Sequence, residues 1–268
     1  MQAIKGANIL LTGASRGIGV FIGRRLAERG GNLVLVARSE ALLAERVAEL
    51  SRFGGLVKPI VADLRDPGEL RELPKRVEDA IGPLDILINN AGIDPMGPFV
   101  DTAEDDLREI IAVKLLAPLI LTKAVLPGMI ARGHGQVVSM SSMSGKKGIA
   151  YEATYTAANA GLVEWTNSLR VELEGTGVGI SVICPGFVRE VGLFAVHGVP
   201  APRLAGSSSA DQVAKAVVKA IDGNRQEVIV QPTPTRPLLA LNAISPSLGN
   251  KIIAAMGVTA LQKRLAGK

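Results

Sequence analysis

The sequence predicts an α/β fold, a doubly wound parallel sheet of seven strands with helices on both faces, followed by an apolar helical extension. Two observations carry this. Short runs rich in Val, Ile and Leu alternate along the chain with amphipathic stretches of helical length, as expected for strands buried on both faces and joined by helical crossovers. The apolar runs also end repeatedly in turns built from Gly, Asn or Ser, and open parallel sheets bind ligands beyond those carboxyl ends.

Taken in order, Asn8 to Leu11 is a buried strand that runs through Thr12 into a turn at Gly13. Arg16 to Arg29 follows as a helix, with Ile18, Ile22 and Leu26 at helical spacing. Leu33 to Val36 is the second strand, and Ser39 to Phe53 a helix capped by Ser39 and stopped at Gly54-Gly55. Val57 to Ala62 is strand, Pro67 to Ile81 helix and Leu84 to Asn89 strand. A long helical stretch from Ala103 to about Arg132 is interrupted by Pro118 and Pro127. Gln136 to Ser141 is strand, Glu152 to Glu174 helix, Gly179 to Cys184 strand, Ser209 to Asp222 helix and Glu227 to Val230 the seventh strand. These elements place one domain at residues 1–231 and an extension at 232–268. The glycine- and proline-bearing segment 187–208 reads as a lid, since loops of that length are usually functional.

The chain has 268 residues, of which 47% are hydrophobic and only 3% aromatic, so a large core must be built from aliphatic side chains. The single cysteine, Cys184, lies in the apolar run ISVIC. It excludes an internal disulfide framework and fits a reducing compartment. The N-terminal MQAIKGANILLTG enters a strand pattern at once, without signal-peptide architecture. No apolar run is expected to reach the roughly 20 residues of a membrane span, so a cytoplasmic protein is expected. The net charge of +5 comes from dispersed basic residues without interleaved aromatics, which argues against nucleic acid and suits an anionic small molecule.

The segment Thr12-Gly13-Ala14-Ser15-Arg16-Gly17-Ile18-Gly19 follows a strand and opens a helix. Its glycines permit a tight turn and close backbone approach to a pyrophosphate at a helix N-terminus. The second strand ends Val36-Ala37-Arg38-Ser39, without the carboxylate that usually holds an adenosine ribose. Arg38 and Arg16 could together hold a 2′-phosphate there, which favours NADP (NADPH). Further along, Ser142 precedes Tyr155 by thirteen residues, and Asn159 follows Tyr155 by four. On a helix, Tyr155 and Asn159 share a face. A phenol and a serine hydroxyl aimed at one point suit proton transfer to a carbonyl oxygen.

Over residues 6 to 230 the chain resembles the short-chain dehydrogenase/reductase family. The resemblance rests on TGASRGIG at 12–19, Asp63-Leu64 and Asn89-Asn90-Ala91-Gly92, with Ser142, Tyr155 and Cys184-Pro185-Gly186 in order. It implies a Rossmann-like fold, contacts of Asp63 and Leu64 with adenine, and Asn90, Ala91 and Gly92 near the adenosine ribose. Pro185, Gly186 and Val188 would line the nicotinamide. In this family a Tyr is the acid/base and a Ser polarises the carbonyl. A Lys four after the Tyr lowers its pKa and binds ribose, and an Asn from an earlier helix holds a water.

The chain departs from that pattern at two positions. Asn159 stands where the Lys is expected, and Lys114 where the Asn is expected, a register set by Pro127 thirteen residues on. The two residue types stand exchanged. Lys114 could then supply the ammonium from a neighbouring helix, with Asn159 retaining donors and an acceptor for ribose or water. The expected activity is an NADP(H)-dependent interconversion of carbonyl and hydroxyl, with Ser142, Tyr155, Lys114 and Asn159 as the catalytic set. The alternative is a catalytically impaired NADP-binding scaffold. Glu190, where the family often has Thr, could accept from the carboxamide NH2 or face solvent as part of the lid.

In the extension, Leu238, Leu239, Leu241 and Ile244, then Leu248, Ile252, Ile253 and Met256, recur at helical spacing with few charges. Such a face must cover something apolar. The pocket or a second subunit ranks first and peripheral membrane contact second, and both favour a bulky apolar ketone or alcohol as substrate. The resemblance also implies a homodimer or homotetramer.

Overall fold

A computed structural model describes residues 3–93, 96–192 and 194–267 of the chain. Seven parallel strands form one sheet in the order β3-β2-β1-β4-β5-β6-β7. They are β1 (Asn8–Thr12), β2 (Asn32–Ala37), β3 (Val57–Val61), β4 (Ile86–Asn89), β5 (Gly135–Met140), β6 (Val178–Pro185) and β7 (Glu227–Val230). The strand order reverses between β1 and β4, where Leu10 pairs with both Val34 and Leu87. That switch point opens a crevice at the carboxyl ends of the strands.

On one face lie α1 (Ile18–Glu28), α2 (Glu40–Ser51) and α7 (Ala210–Gly223), sharing a core of Ile22, Leu26, Leu43 and Val217 with Ile9 and Leu11 of β1. On the other lie α3 (Pro67–Ile81) and α5 (Ala117–Arg132), whose Leu73, Val77, Leu121 and Met129 pack with Leu10, Leu87 and Val137. The helix α6 (Ala153–Glu172) also covers the sheet. Local signals explain the helix starts. The Ser39 hydroxyl accepts from Leu42 N, Asp66 caps α3 ahead of Pro67, and Ser209 with Gln212 forms a capping box on α7.

The long helical stretch breaks at a different place from the one expected at its prolines. Pro127 lies inside α5. The discontinuity is a π-helical turn, Ala112–Leu116, that joins α4 (Glu104–Ile111) to α5. Pro118 has no N–H to give to the carbonyl of Lys114, four residues back, and here the ladder shifts so that Ala117 N donates to Ala112 O. The wider turn carries Val113 and Lys114 into the interior. Residues Glu104–Arg132 together are also long and apolar enough to cross a membrane by length and composition, which corrects the expectation that no stretch reaches that size. Their apolar side chains pack on α3 and the sheet.

The segment 187–208 leaves and returns at one place, where Val188 bridges Ser208 and Ser208 N donates to Phe187 O. Leu193, within it, lies outside the described residues. After β7, the described residues of the extension form α8 (Arg236–Ile244), α9 (Pro246–Ala255) and α10 (Val258–Leu265). Gly249 lets α9 approach α8 closely, because a Cβ there would meet Asn242 Oδ1 at 2.2 Å.

Candidate active site

Two cavities meet at the carboxyl edge of the sheet. The larger, about 1080 Å³, runs along the glycine turn and the ends of β1, β2 and β4. Gly13 and Gly17 have φ of 64°, a region that L side chains rarely adopt. A Cβ on Gly13 would also strike Ala91 Cα at 2.8 Å, and one on Gly19 would strike Gly13 O at 2.2 Å. Gly19 thus closes the turn, while Gly13, Ser15, Arg16, Gly17 and Ile18 border the cavity. Thr12 Oγ1 accepts from Asn90 N and Ala91 N, at 3.0 and 3.1 Å, and the Asn90 amide donates to Thr12 O and Gly13 O. Asn90 therefore clamps the glycine turn, and with Ala91 and Gly92 it forms part of the cavity wall. The α1 N-terminus has no side-chain cap and no acid in its first turn. Open N–H groups and a positive helix end facing a cavity fit a dinucleotide pyrophosphate.

At the other end of this cavity stand Arg38, Asp63, Leu64, Arg65 and Glu109. The Asp63 carboxylate accepts from Arg65 Nε and Arg65 N, and its own backbone N–H goes to Glu69 Oε2. The Arg65 guanidinium holds that carboxyl below its ordinary 3.8. Asp63 is thus engaged with Arg65 while it and Leu64 border the cavity where an adenine contact is expected. Arg65 was missed in the sequence because it lies beyond the strand-end motif. It also bridges to Glu109 at 3.0 Å, while Arg38 lies 4.0 Å from the same carboxylate. Arg16 is exposed and makes no ion pair among the described residues.

The second cavity, about 210 Å³, is walled mainly by apolar side chains, including Phe187, Leu239, Ile252 and Met256. Tyr155, 9% exposed, borders both cavities, as do Ser141 and Pro185. Ser142 borders the apolar chamber, its Oγ accepting from Ser144 N at 3.1 Å. That leaves the hydroxyl proton available for a ligand oxygen. Gly186 and Val188 border the chamber and not the larger cavity.

Lys114 and Asn159 flank Tyr155 in different ways. The Lys114 side chain is 4% exposed, borders the larger cavity beside Gly92, and holds its Nζ 5.6 Å from the centre of the Tyr155 ring. Nζ also donates to Met140 O at 2.6 Å, at the end of β5. Asn159 is 0% exposed and borders neither cavity. Its Nδ2 donates to Tyr155 O, one turn back in its own helix, and its backbone packs against Gly145. The sequence offers Asn159 for a ribose hydroxyl or a water, and its side chain lies in the interior, away from the lining of both cavities. A short amide this deep reaches only its own helix.

A family model described as short chain dehydrogenase matches residues 7–195, which spans the glycine turn, Ser142 and Tyr155. The chain belongs to the short-chain dehydrogenase/reductase family. It is 42% identical to the ketoacyl reductase HetN of Nostoc sp. over 99% of this chain and 94% of that one. It is 40% identical to the oxidoreductase UcpA of Escherichia coli over 70% of this chain and 72% of that protein. A metagenomic short-chain oxidoreductase crystallised with NADP superposes with a TM-score of 0.74 at 31% identity, covering 87% of this chain and 99% of that one. A family member from Burkholderia phymatum in complex with NAD gives a TM-score of 0.82 at 22% identity over 92% and 96% of the two chains, which speaks to the fold alone.

Other residues of this dehydrogenase/reductase find structural partners. Glu190 Oε2 accepts from Ala210 N at the start of α7, 3.1 Å away, which gives its charge a favourable helix end. Lys146 pairs with Glu227 at 2.7 Å, and Lys147 Nζ donates to Asn250 Oδ1 of α9. The extension divides its apolar residues. Leu238, Leu239, Ile252, Ile253 and Met256 wall the chamber, whereas Leu241 and Leu248 are exposed and Ile244 is 83% exposed.

Proposed function

We propose that this short-chain dehydrogenase/reductase interconverts a carbonyl and a hydroxyl on a bulky apolar substrate, using NADP(H). The observation that carries this reading is the position of Tyr155. It stands in the wall shared by a cavity suited to a dinucleotide and a chamber suited to an apolar chain. When bound, the nicotinamide supplies or accepts the hydride. In the direction of reduction, Ser142 donates its hydroxyl proton in a hydrogen bond to the substrate oxygen, and Tyr155 transfers its phenolic proton to that oxygen. Lys114 offsets the negative charge left on the phenol, taking the part that a Lys at position 159 plays elsewhere in the family. Its bond to Met140 O fixes the ammonium near the ring.

Arg16 and Arg38, with no carboxylate at the end of β2, support NADP over NAD. The chamber's apolar lining supports a long or fused-ring ketone, and the ketoacyl reductase named among the relatives supports an acyl-chain ketone. A cytoplasmic homodimer or homotetramer completes the proposal.

The test is a swap. Lys114→Asn should lower kcat for ketone reduction by about 10²-fold, within the range of general acid–base contributions. Lys114→Asn combined with Asn159→Lys should recover at least about tenfold of that loss. A Lys114→Asn variant as fast as the wild type would overturn the role of Lys114. A wild type that binds NADPH but reduces no ketone would favour the scaffold reading.

A further inference from the structure

The wall of the apolar chamber carries a buried polar pair that the reduction of a carbonyl leaves unused. Gln262 of α10 is 2% exposed and borders the chamber together with Glu152. Its Nε2 donates to Glu152 Oε1 at 2.6 Å. A carboxylate can only accept, so this contact orients the amide with its nitrogen toward Glu152. The oxygen, Oε1, is then the free end, and it is buried with no hydrogen-bond partner among the described residues. Two other amide oxygens near the chamber share that condition, Gln231 Oε1 and Asn242 Oδ1, but both lie against backbone at Gly186 and Gly249. Glu152 is the N-cap of α6, three residues before Tyr155, so the pair stands one helical turn from the acid/base residue.

A buried acceptor without a partner is costly, and an apolar chamber penalises an unpaired ion. We propose that Gln262 Oε1 receives a second polar group of the substrate, a hydroxyl or amide N–H set apart from the reacting carbonyl. The substrate class is therefore an apolar ketone or alcohol that carries a neutral hydrogen-bond donor. This rests on the carbonyl–hydroxyl reading above and narrows it. Glu152 is the positioning residue that holds the amide nitrogen and so leaves the oxygen for the substrate.

The probes are three parallel series of 2-alkanones, one plain, one with a terminal hydroxyl and one with that hydroxyl methylated, with the chain lengthened stepwise. At one chain length the hydroxy ketone should show a KM about tenfold below that of its methyl ether. Gln262→Met should bring the two within about twofold, while the ratio of KM between the methyl ether and the plain ketone stays as in the wild type. Glu152→Gln, which keeps a partner for Gln262 but can itself donate and so lets the amide turn over, should reduce the discrimination by a smaller factor. A purely structural role for Gln262 would move all three series together. No discrimination by the wild type at any length, or discrimination surviving in Gln262→Met, would overturn the proposal. If the wild type reduces none of the ketones, the carbonyl reading fails and this inference is read from thermal shifts with NADPH present. A greater rise in Tm with the hydroxy ketone than with its methyl ether, lost in Gln262→Met, supports it, and equal rises overturn it.

Discussion

The two cavities are built by different means. The larger cavity takes much of its wall from strand ends and the turns that follow them, at Gly13 and residues 15–18, 36–39, 62–65 and 90–93, with helical residues such as Glu109, Lys114 and Tyr155 closing it. The apolar chamber draws on the β5 turn, the segment after β6 and all three helices of the extension. One is a property of the sheet, held in place by backbone geometry and hydrogen bonds such as those of Thr12 and Asn90. The other exists because a tail folds back over the sheet's edge and buries apolar side chains. The difference teaches where variation is tolerated. The larger cavity is tied to the switch point, whereas the chamber can be reshaped by changing a helix face without disturbing the sheet.

Breaking the first cavity should have the larger effect. Arg38→Asp removes a charge-assisted contact and places a carboxylate at the end of β2. It should shift the NADPH-to-NADH preference, measured as a ratio of kcat/KM, by roughly 10- to 150-fold toward NADH. An unchanged ratio would remove Arg38 from the cofactor site. The chamber should respond in smaller steps. Along a series of plain 2-alkanones, kcat/KM should rise about fourfold per methylene, the equivalent of about 0.8 kcal/mol per buried CH2, until the chamber is filled. Leu239→Trp should end that rise at a shorter chain, and a slope that ignores chain length would show that the chamber does not hold the substrate.

The smallest effect concerns the clamp at the adenosine end. Arg65 holds the Asp63 carboxyl below 3.8 in the folded chain. Its contribution to stability is therefore complete above the unfolded value and is lost as pH falls through the lower folded one. Asp63→Asn should lower Tm at pH 7 by about 3 °C at most. The difference from the wild type should vanish in acid, and a gap that persists below pH 2 would assign it to packing instead.

Much of this was readable in the residues. The helix Pro67–Ile81 and the strand Glu227–Val230 have the bounds expected from caps and apolar runs, because those signals are local. Lys114 Nζ lies 5.6 Å from the centre of the Tyr155 ring, and the π turn that buries this lysine was not legible in the sequence. Its cause, Pro118, read as a helix breaker, and whether a proline ends a helix or widens one turn depends on what packs around it. The full burial of Asn159 was not legible for a related reason, since i,i+4 spacing shows which face a residue shares and not how deep that face lies.

By itself the sequence determined the parallel sheet, the glycine turn, Arg38 at the end of β2 and the thirteen-residue spacing of Ser142 and Tyr155, because each follows from periodicity or from position along the chain. Tertiary structure alone decided that Arg65 claims Asp63, that Lys114 rather than Asn159 faces the nucleotide cavity, and that Gln262 and Glu152 meet across 110 residues of chain. Those outcomes depend on which distant side chains compete for one buried space, and local pattern carries no record of that competition.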